Sequence, residues 1–253
     1  MPFSIVYADN EDGYLYAIQQ GGAPVAKIFL ERAISAGYTP TSIGGDGTIY
    51  GENAGHFIAI GNLFTTTTAI NSSSQNPSTY GTAVTFTAAV TSTGTPTGSV
   101  TFKSGKATLG TANLSSGSAA YTTSPTQLSA GTDSITAVYS GDATHAASTS
   151  PAFLQTVTKA ATTTALTSSP NPSQVNQSVT LTATVAAPAG LPVPTGKVQF
   201  ANGNKILGTA TLSNGIATLT TTFTHTGSFT LKATYPGAGD YLGSFGTMVQ
   251  SVQ

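Results

Sequence analysis

From Val84 onward, apolar and polar positions alternate with a period of two, in short runs separated by turn residues. Val84, Phe86, Ala88 and Val90 take alternate places, as do Val100 and Phe102, then Ile135, Ala137 and Tyr139, then Ala217 and Leu219. Successive side chains of a strand face opposite ways, so each run predicts a half-buried β-strand. Pro-Thr-Gly, Ser104-Gly105, Asn202-Gly203-Asn204 and Asn214-Gly215 punctuate the runs. The last two predict hairpin turns, because Gly and Asn tolerate positive φ. Thr and Val disfavour helix, and Gly or Pro interrupts every window. About seven such strands per ~95 residues predict an antiparallel β-sandwich.

The pattern occurs twice. Thr66-Thr67-Thr68-Ala69-Ile70 returns as Thr162-Thr163-Thr164-Ala165-Leu166, and Asn76-Pro77-Ser78 as Asn171-Pro172-Ser173. Val84-Thr85-Phe86-Thr87-Ala88 returns as Val179-Thr180-Leu181-Thr182-Ala183, and Pro96-Thr97-Gly98 as Pro194-Thr195-Gly196. Leu109-Gly110-Thr111-Ala112 returns as Leu207-Gly208-Thr209-Ala210, and Ile135-Thr136-Ala137-Val138-Tyr139 as Leu231-Lys232-Ala233-Thr234-Tyr235. The offset stays between 95 and 98, which marks a duplicated domain. Matching Gly141-Asp142 to Gly239-Asp240 implies a two-residue insertion in the second copy.

In this order the motifs resemble the bacterial Ig-like repeat modules of surface proteins, over about three quarters of the chain. The resemblance implies tandem Ig-like sandwiches that act as spacers or adhesive stalks, without catalysis. Expected domains are 64–158 and 159–253, joined by Thr158-Lys159-Ala160-Ala161, a linker too short for wide swinging.

Residues 1–63 use another vocabulary, rich in Tyr, Ile and Gly. Asp12-Gly13-Tyr14-Leu15-Tyr16-Ala17-Ile18 matches Ala54-Gly55-His56-Phe57-Ile58-Ala59-Ile60 at an offset of 42. That period fits a propeller blade, and the segment resembles quinoprotein-type β-propeller blades. Barely one and a half blades are present, whereas a closed propeller needs about four or more. The expectation is therefore an all-β chain: an incomplete propeller-like region at 1–63, then two sandwiches. It is expected to be a piece of a longer protein, with any export signal outside it, since no basic stretch precedes an apolar one at Met1–Tyr7. Ala33-Ile34-Ser35-Ala36 is expected to form a short helical turn.

Charge sharpens the division near residue 64. Six of the nine acids but only two of the eight bases lie in residues 1–63. Eight scattered basic residues do not make a nucleic-acid surface, and zero Cys excludes disulfides and thiolate metal sites. No apolar run reaches the roughly 18 residues of a membrane helix. An extracellular or cell-surface monomer is expected, its partners a surface glycan or protein.

Candidate chemistry is sparse. His56, His145 and His225 lie in different modules without an acid or His at ligand spacing, so surface or packing roles are expected. Asp9, Glu11, Asp12 and Gly13 resemble the start of a calcium loop, but Tyr14-Leu15-Tyr16 follows where ligands are needed, which favours a tight turn. Asp142 and Asp240 are expected to accept N–H groups within their loops. No Gly-x-Ser-x-Gly elbow occurs, and Gly44-Gly45-Asp46-Gly47 lacks the Lys-Ser/Thr of a phosphate loop. Lys103, Lys106, Lys197, Lys205 and Lys232 are expected to face solvent rather than form isopeptide bonds. No catalytic residue, cofactor or metal is assigned. Phe86, Phe102, Phe200, Tyr139 and Tyr235 take inward places, leaving Tyr80 and Tyr241 as the candidates for sugar stacking on an exposed face.

Overall fold

The computed structural model describes residues 63–253 throughout and, before them, the backbone of residues 5–9, 14–19, 24–29, 42–43, 49–53 and 56–60. All regular elements among the described residues are strands. Two compact units divide the chain: residues 1–65 with 143–146, and residues 66–142 with 147–253. In the first, β1 (Ile5–Asp9), β2 (Tyr14–Gln19) and β3 (Pro24–Phe29) form one three-stranded sheet. A second sheet contains β4 (Ser42–Ile43), β5 (Ile49–Asn53) and β6 (His56–Ile60), and both are antiparallel in chain order. The helical turn expected at 33–36 lies outside the described residues, as do Glu11, Asp12 and Gly13.

The larger unit holds two sandwiches. The first has β7 (Thr67–Ser73), β8 (Ser78–Thr79), β9 (Thr85–Thr91), β10 (Ser99–Ser104), β11 (Ala107–Asn113), β12 (Ser118–Thr122), β13 (Gly131–Tyr139), β14 (Ser148–Thr149) and β15 (Phe153–Thr158). One sheet runs β12-β9-β7, the other β11-β10-β13-β15-β8 with β14 on β13. The second has β16 (Thr163–Ser169), β17 (Ser178–Ala186), β18 (Lys197–Asn202), β19 (Lys205–Thr211), β20 (Ile216–Thr222), β21 (Gly227–Tyr235) and β22 (Ser244–Val252). Its sheets run β16-β17-β20 and β19-β18-β21-β22.

The alternation read from sequence is the burial pattern. Val84, Phe86, Ala88, Val100, Phe102, Ile135, Ala137 and Tyr139 are fully enclosed, with Val179, Leu181, Ala183, Val198, Phe200, Leu231, Ala233 and Tyr235 as their second-copy counterparts. Burying one such Phe or Leu stabilises by about 1.5–3 kcal/mol, and the polar Thr between them takes the outer face. The Leu-Gly-Thr-Ala motif also has a steric cause. A Cβ on Gly110 would sit 2.1 Å from the Tyr121 ring, and one on Gly208 would sit 3.0 Å from Leu219, so β12 and β20 lay a side chain across each glycine.

Two buried glutamines tie the last strand of each sandwich to the stretch that ends and follows its first strand. Gln155 Oε1 accepts from Ser73 Oγ at 2.7 Å, and its Nε2 donates to the carbonyls of Gln75 (2.8 Å) and Thr156 (3.1 Å) and to Ser78 Oγ (3.2 Å). Gln250 repeats the arrangement with Ser168 Oγ (2.6 Å), Pro170 O, Ser251 O and Ser173 Oγ. A buried amide is tolerable only when so satisfied.

Two sequence expectations need correction. Asn202-Gly203-Asn204 does close the β18–β19 hairpin, with Gly203 at φ +57°. Asn214-Gly215, both at positive φ, instead carries the chain from β19 in one sheet to β20 in the other; Ser213 and Ile216 exchange backbone bonds across it. The two-residue insertion is also absent. Phe64 N–H donates to Thr144 O and Ala146 N–H to Phe64 O; in the second copy Ala160 N–H donates to Asp240 O and Leu242 N–H to Ala160 O. Thr66 and Thr68 hold Ser148 as Thr162 and Thr164 hold Ser244. Every one of these pairs keeps an offset of 96, so Thr144 answers to Asp240, His145 to Tyr241 and Asp142 to Ala238. The two Gly-Asp pairs are a coincidence of sequence. Extra length lies elsewhere: the offset grows from 95 at Val185 to 98 at Pro194, placing three additional residues in the loop after β17.

Candidate functional site

The two tyrosines expected on an open face are buried, and they meet each other. Tyr80 follows β8 in the first sandwich, its N–H held by Thr158 O at 2.8 Å; Tyr241 precedes β22 in the second. Their exposures are 8% and 7%, and the rings pack edge to face with centroids 5.7 Å apart. Neither offers a free ring face to a sugar in this arrangement. The quadrupoles of two aromatic rings favour this geometry by about 0.5–1.5 kcal/mol beyond burial.

Further contacts complete the joint between the sandwiches. Asp240 Oδ1 accepts the N–H of Ala130 at 2.6 Å, a charge-assisted bond from one module to the other. The Tyr241 hydroxyl donates to Pro192 O, which fixes the ring against the lengthened loop of its own module. Leu191 of that loop lies over Gly81: a Cβ there would come within 2.9 Å of both Leu191 methyl carbons. The linker residue Ala160 is itself buried, clasped by Asp240 and Leu242. Burial pushes the pKa of the Tyr80 phenol above its ordinary value, and the Asp240 charge pushes it further; for Tyr241 burial leads, then Tyr80, Asp240 and Tyr235. Both phenols stay protonated and neutral at ordinary pH. The two rings therefore pack against each other as neutral phenols. Sequence reasoning singled out the two rings; Leu191, Gly81 and Ala130 carried no signal beyond the extra loop length.

The remaining candidates scatter. Asp142 Oδ2 accepts from the N–H and Oγ1 of Thr97, each at 2.8 Å, so it ties the Pro-Thr-Gly turn to the loop after β13. Asp240 likewise reaches outside its loop. Near Asp142, the Tyr139 phenol is raised first by burial and then by that carboxylate. His145 is buried, with Nδ1 3.0 Å from Thr144 Oγ1 and its ring 5.7 Å from Phe64; His225 is exposed beside Thr224. His56 belongs to β6, described in backbone only. Lys232 faces outward, its Nζ 4.4 Å from the centroid of Phe245, an aromatic the sequence reading passed over and 62% exposed. Among the described residues, no three His, Asp or Glu gather where a metal ion could be held, and no helix is long and apolar enough to cross a membrane.

The fibronectin(III)-like modules of Clostridium thermocellum CbhA are similar at 17% identity over 73% of this chain and 94% of that one, with a TM-score of 0.29. Yersinia pseudotuberculosis adhesin InvE is similar at 17% identity and TM-score 0.41, over 76% of this chain but only 58% of the adhesin. The I67–I69 I-band fragment of titin is similar at 12% identity and TM-score 0.37, over 99% of this chain and 97% of that one. No curated protein matches the sequence. The family model described as bacterial Ig-like domain (group 3) matches twice, over residues 70–158 and 166–253. Those two matches span more than half of the residues, and the chain belongs to the bacterial Ig-like domain family, group 3.

Proposed function

We propose that this chain is a non-catalytic structural arm of a cell-surface or extracellular protein, in which two Ig-like modules hold other parts of that protein at a set distance. One observation carries the reading: the residues shared by the two copies are those of the frame. They are the enclosed strand positions, the covered glycines, the turn residues and the buried glutamines. The exposed positions the copies share, such as Thr67 with Thr163 and Thr111 with Thr209, carry threonines of the outer strand faces, whereas a binding or catalytic function repeated with the fold would place charged or aromatic side chains there. The Thr-rich outer faces, low charge and absence of Cys suit a module that works outside the reducing cytosol without disulfides. For residues 1–63 we read propeller-type blades, supported by two antiparallel three-stranded meanders and the 42-residue repeat.

The test is labelling of intact source cells with an impermeant amine reagent and with antibody against residues 66–253. Labelled protein on intact cells or in the medium supports the reading; protein labelled only after lysis overturns it. A second reading, binding of a glycan or protein partner, rests on Phe245, exposed on the outer face of β22 beside Lys232. Glycan-array signal that Phe245→Ala abolishes would favour it.

A further inference from the structure

We propose that the end of the first sandwich is a seat cut for the head of the second, so that the modules join in one fixed orientation and in one order. The inference stands whether or not the chain works at a cell surface. A short linker alone restricts swing but leaves twist about its own axis free. Here three contacts flank the linker: the Tyr80–Tyr241 edge-to-face pair, the Ala130 N–H to Asp240 bond, and Leu191 over Gly81. A directional hydrogen bond, an edge-to-face ring pair and a close steric contact, made together by Tyr80, Gly81 and Ala130 on one side and Leu191, Asp240 and Tyr241 on the other, oppose that twist.

Order follows from what the copies do not share. On the seat, Tyr80, Gly81 and Ala130 are answered in the second sandwich by Val175, Asn176 and Thr226. Asn176 also holds positive φ (+63°, against +98° at Gly81), so the fold carries a side chain in the left-handed region at the equivalent place. An Asn at position 81 would put atoms where Leu191 now lies. On the head, Asp240 and Tyr241 are answered in the first sandwich by Thr144 and His145, and Leu191 comes from the stretch with no counterpart there. The seat belongs to the first module and the key to the second. Gly81 is the residue that sets this specificity.

Gly81→Asn tests the idea with a side chain the fold accepts at the equivalent place, and Asp240→Ala with Leu191→Ala tests it from the other side. Residual dipolar couplings measured on the full chain report each sandwich's orientation separately. The unaltered chain is expected to fit both sandwiches to one alignment tensor in the relative orientation of the structure. Both variants are expected to need two tensors, while the dispersed amide signals of each sandwich persist. Two independent tensors in the unaltered chain would overturn the proposal, as would a single unchanged tensor in both variants. Should one variant fail to fold, the other and the unaltered chain still decide.

Discussion

The first and second sandwiches differ least where they are buried and most where they end. Phe102 and Phe200 are both enclosed, Tyr139 and Tyr235 both close their strands, and Gln155 and Gln250 make the same four kinds of hydrogen bond. At the ends, His145 stands against Tyr241, Thr144 against Asp240, Gly81 against Asn176, and one loop is three residues longer. A close-packed interior penalises any change of volume, so the copies keep it. Ends face solvent or a neighbour, and there each copy has been fitted to its place in the order.

The comparison can be broken at its centre first. Phe102→Ala and Phe200→Ala should each cost about 3–5 kcal/mol, seen as loss of the corresponding sandwich in urea unfolding followed by NMR. Unequal costs would show that the cores are not equivalent. Gln250→Leu and Gln155→Leu should each cost on the order of 2 kcal/mol, because the serine hydroxyls and carbonyls around them lose partners. A neutral result at either would show that water replaces the amide.

Alkaline titration sharpens the same parallel. Tyr139 and Tyr235 both ionise with more difficulty than free tyrosine, burial being the main cause, as do Tyr80 and Tyr241 at the joint. A raised folded-state value means the native chain holds its proton more tightly than the unfolded chain. Stability from these groups is therefore full below about pH 10 and falls as pH rises above it. Tyr235→Phe should flatten part of that fall, which stability measured across alkaline pH would reveal; an unchanged slope would remove Tyr235 from the account.

The smallest effect expected is at the turns between sheets. Ser116 sits at φ +50° where the second copy has Asn214 at φ +49°. Asn tolerates this region better than Ser, so Ser116→Asn should stabilise the first sandwich by a few tenths of a kcal/mol. A loss in thermal stability would show that the Ser side chain is needed there.

The strands were legible because period-two alternation maps directly onto two faces of a sheet: Val84, Phe86, Ala88 and Val90 needed no tertiary knowledge. The repeat was legible for the same reason, since both copies answer to one frame. Asn214-Gly215 read as a hairpin because positive φ specifies a tight turn but not which sheet receives the next strand. The supposed insertion arose because Gly-Asp is a common loop pair, and only backbone bonding shows that Asp240 answers to Thr144. Tyr80 and Tyr241 stood out as aromatics outside the alternating runs, yet their burial depends on two modules meeting. Leu191 and Gly81 lie more than a hundred positions apart, and no local pattern links them.

Exchange of Asp240-Tyr241 for the pair at the equivalent place in the first copy, through Asp240→Thr with Tyr241→His, separates frame from end most directly. Two-dimensional amide NMR of the full chain should show the signals of β17, β18 and β21 in place and those of Tyr80, Gly81 and Ala130 displaced. Collapse or wholesale movement of the second sandwich's core signals would contradict the account, because the joint would then be part of the frame.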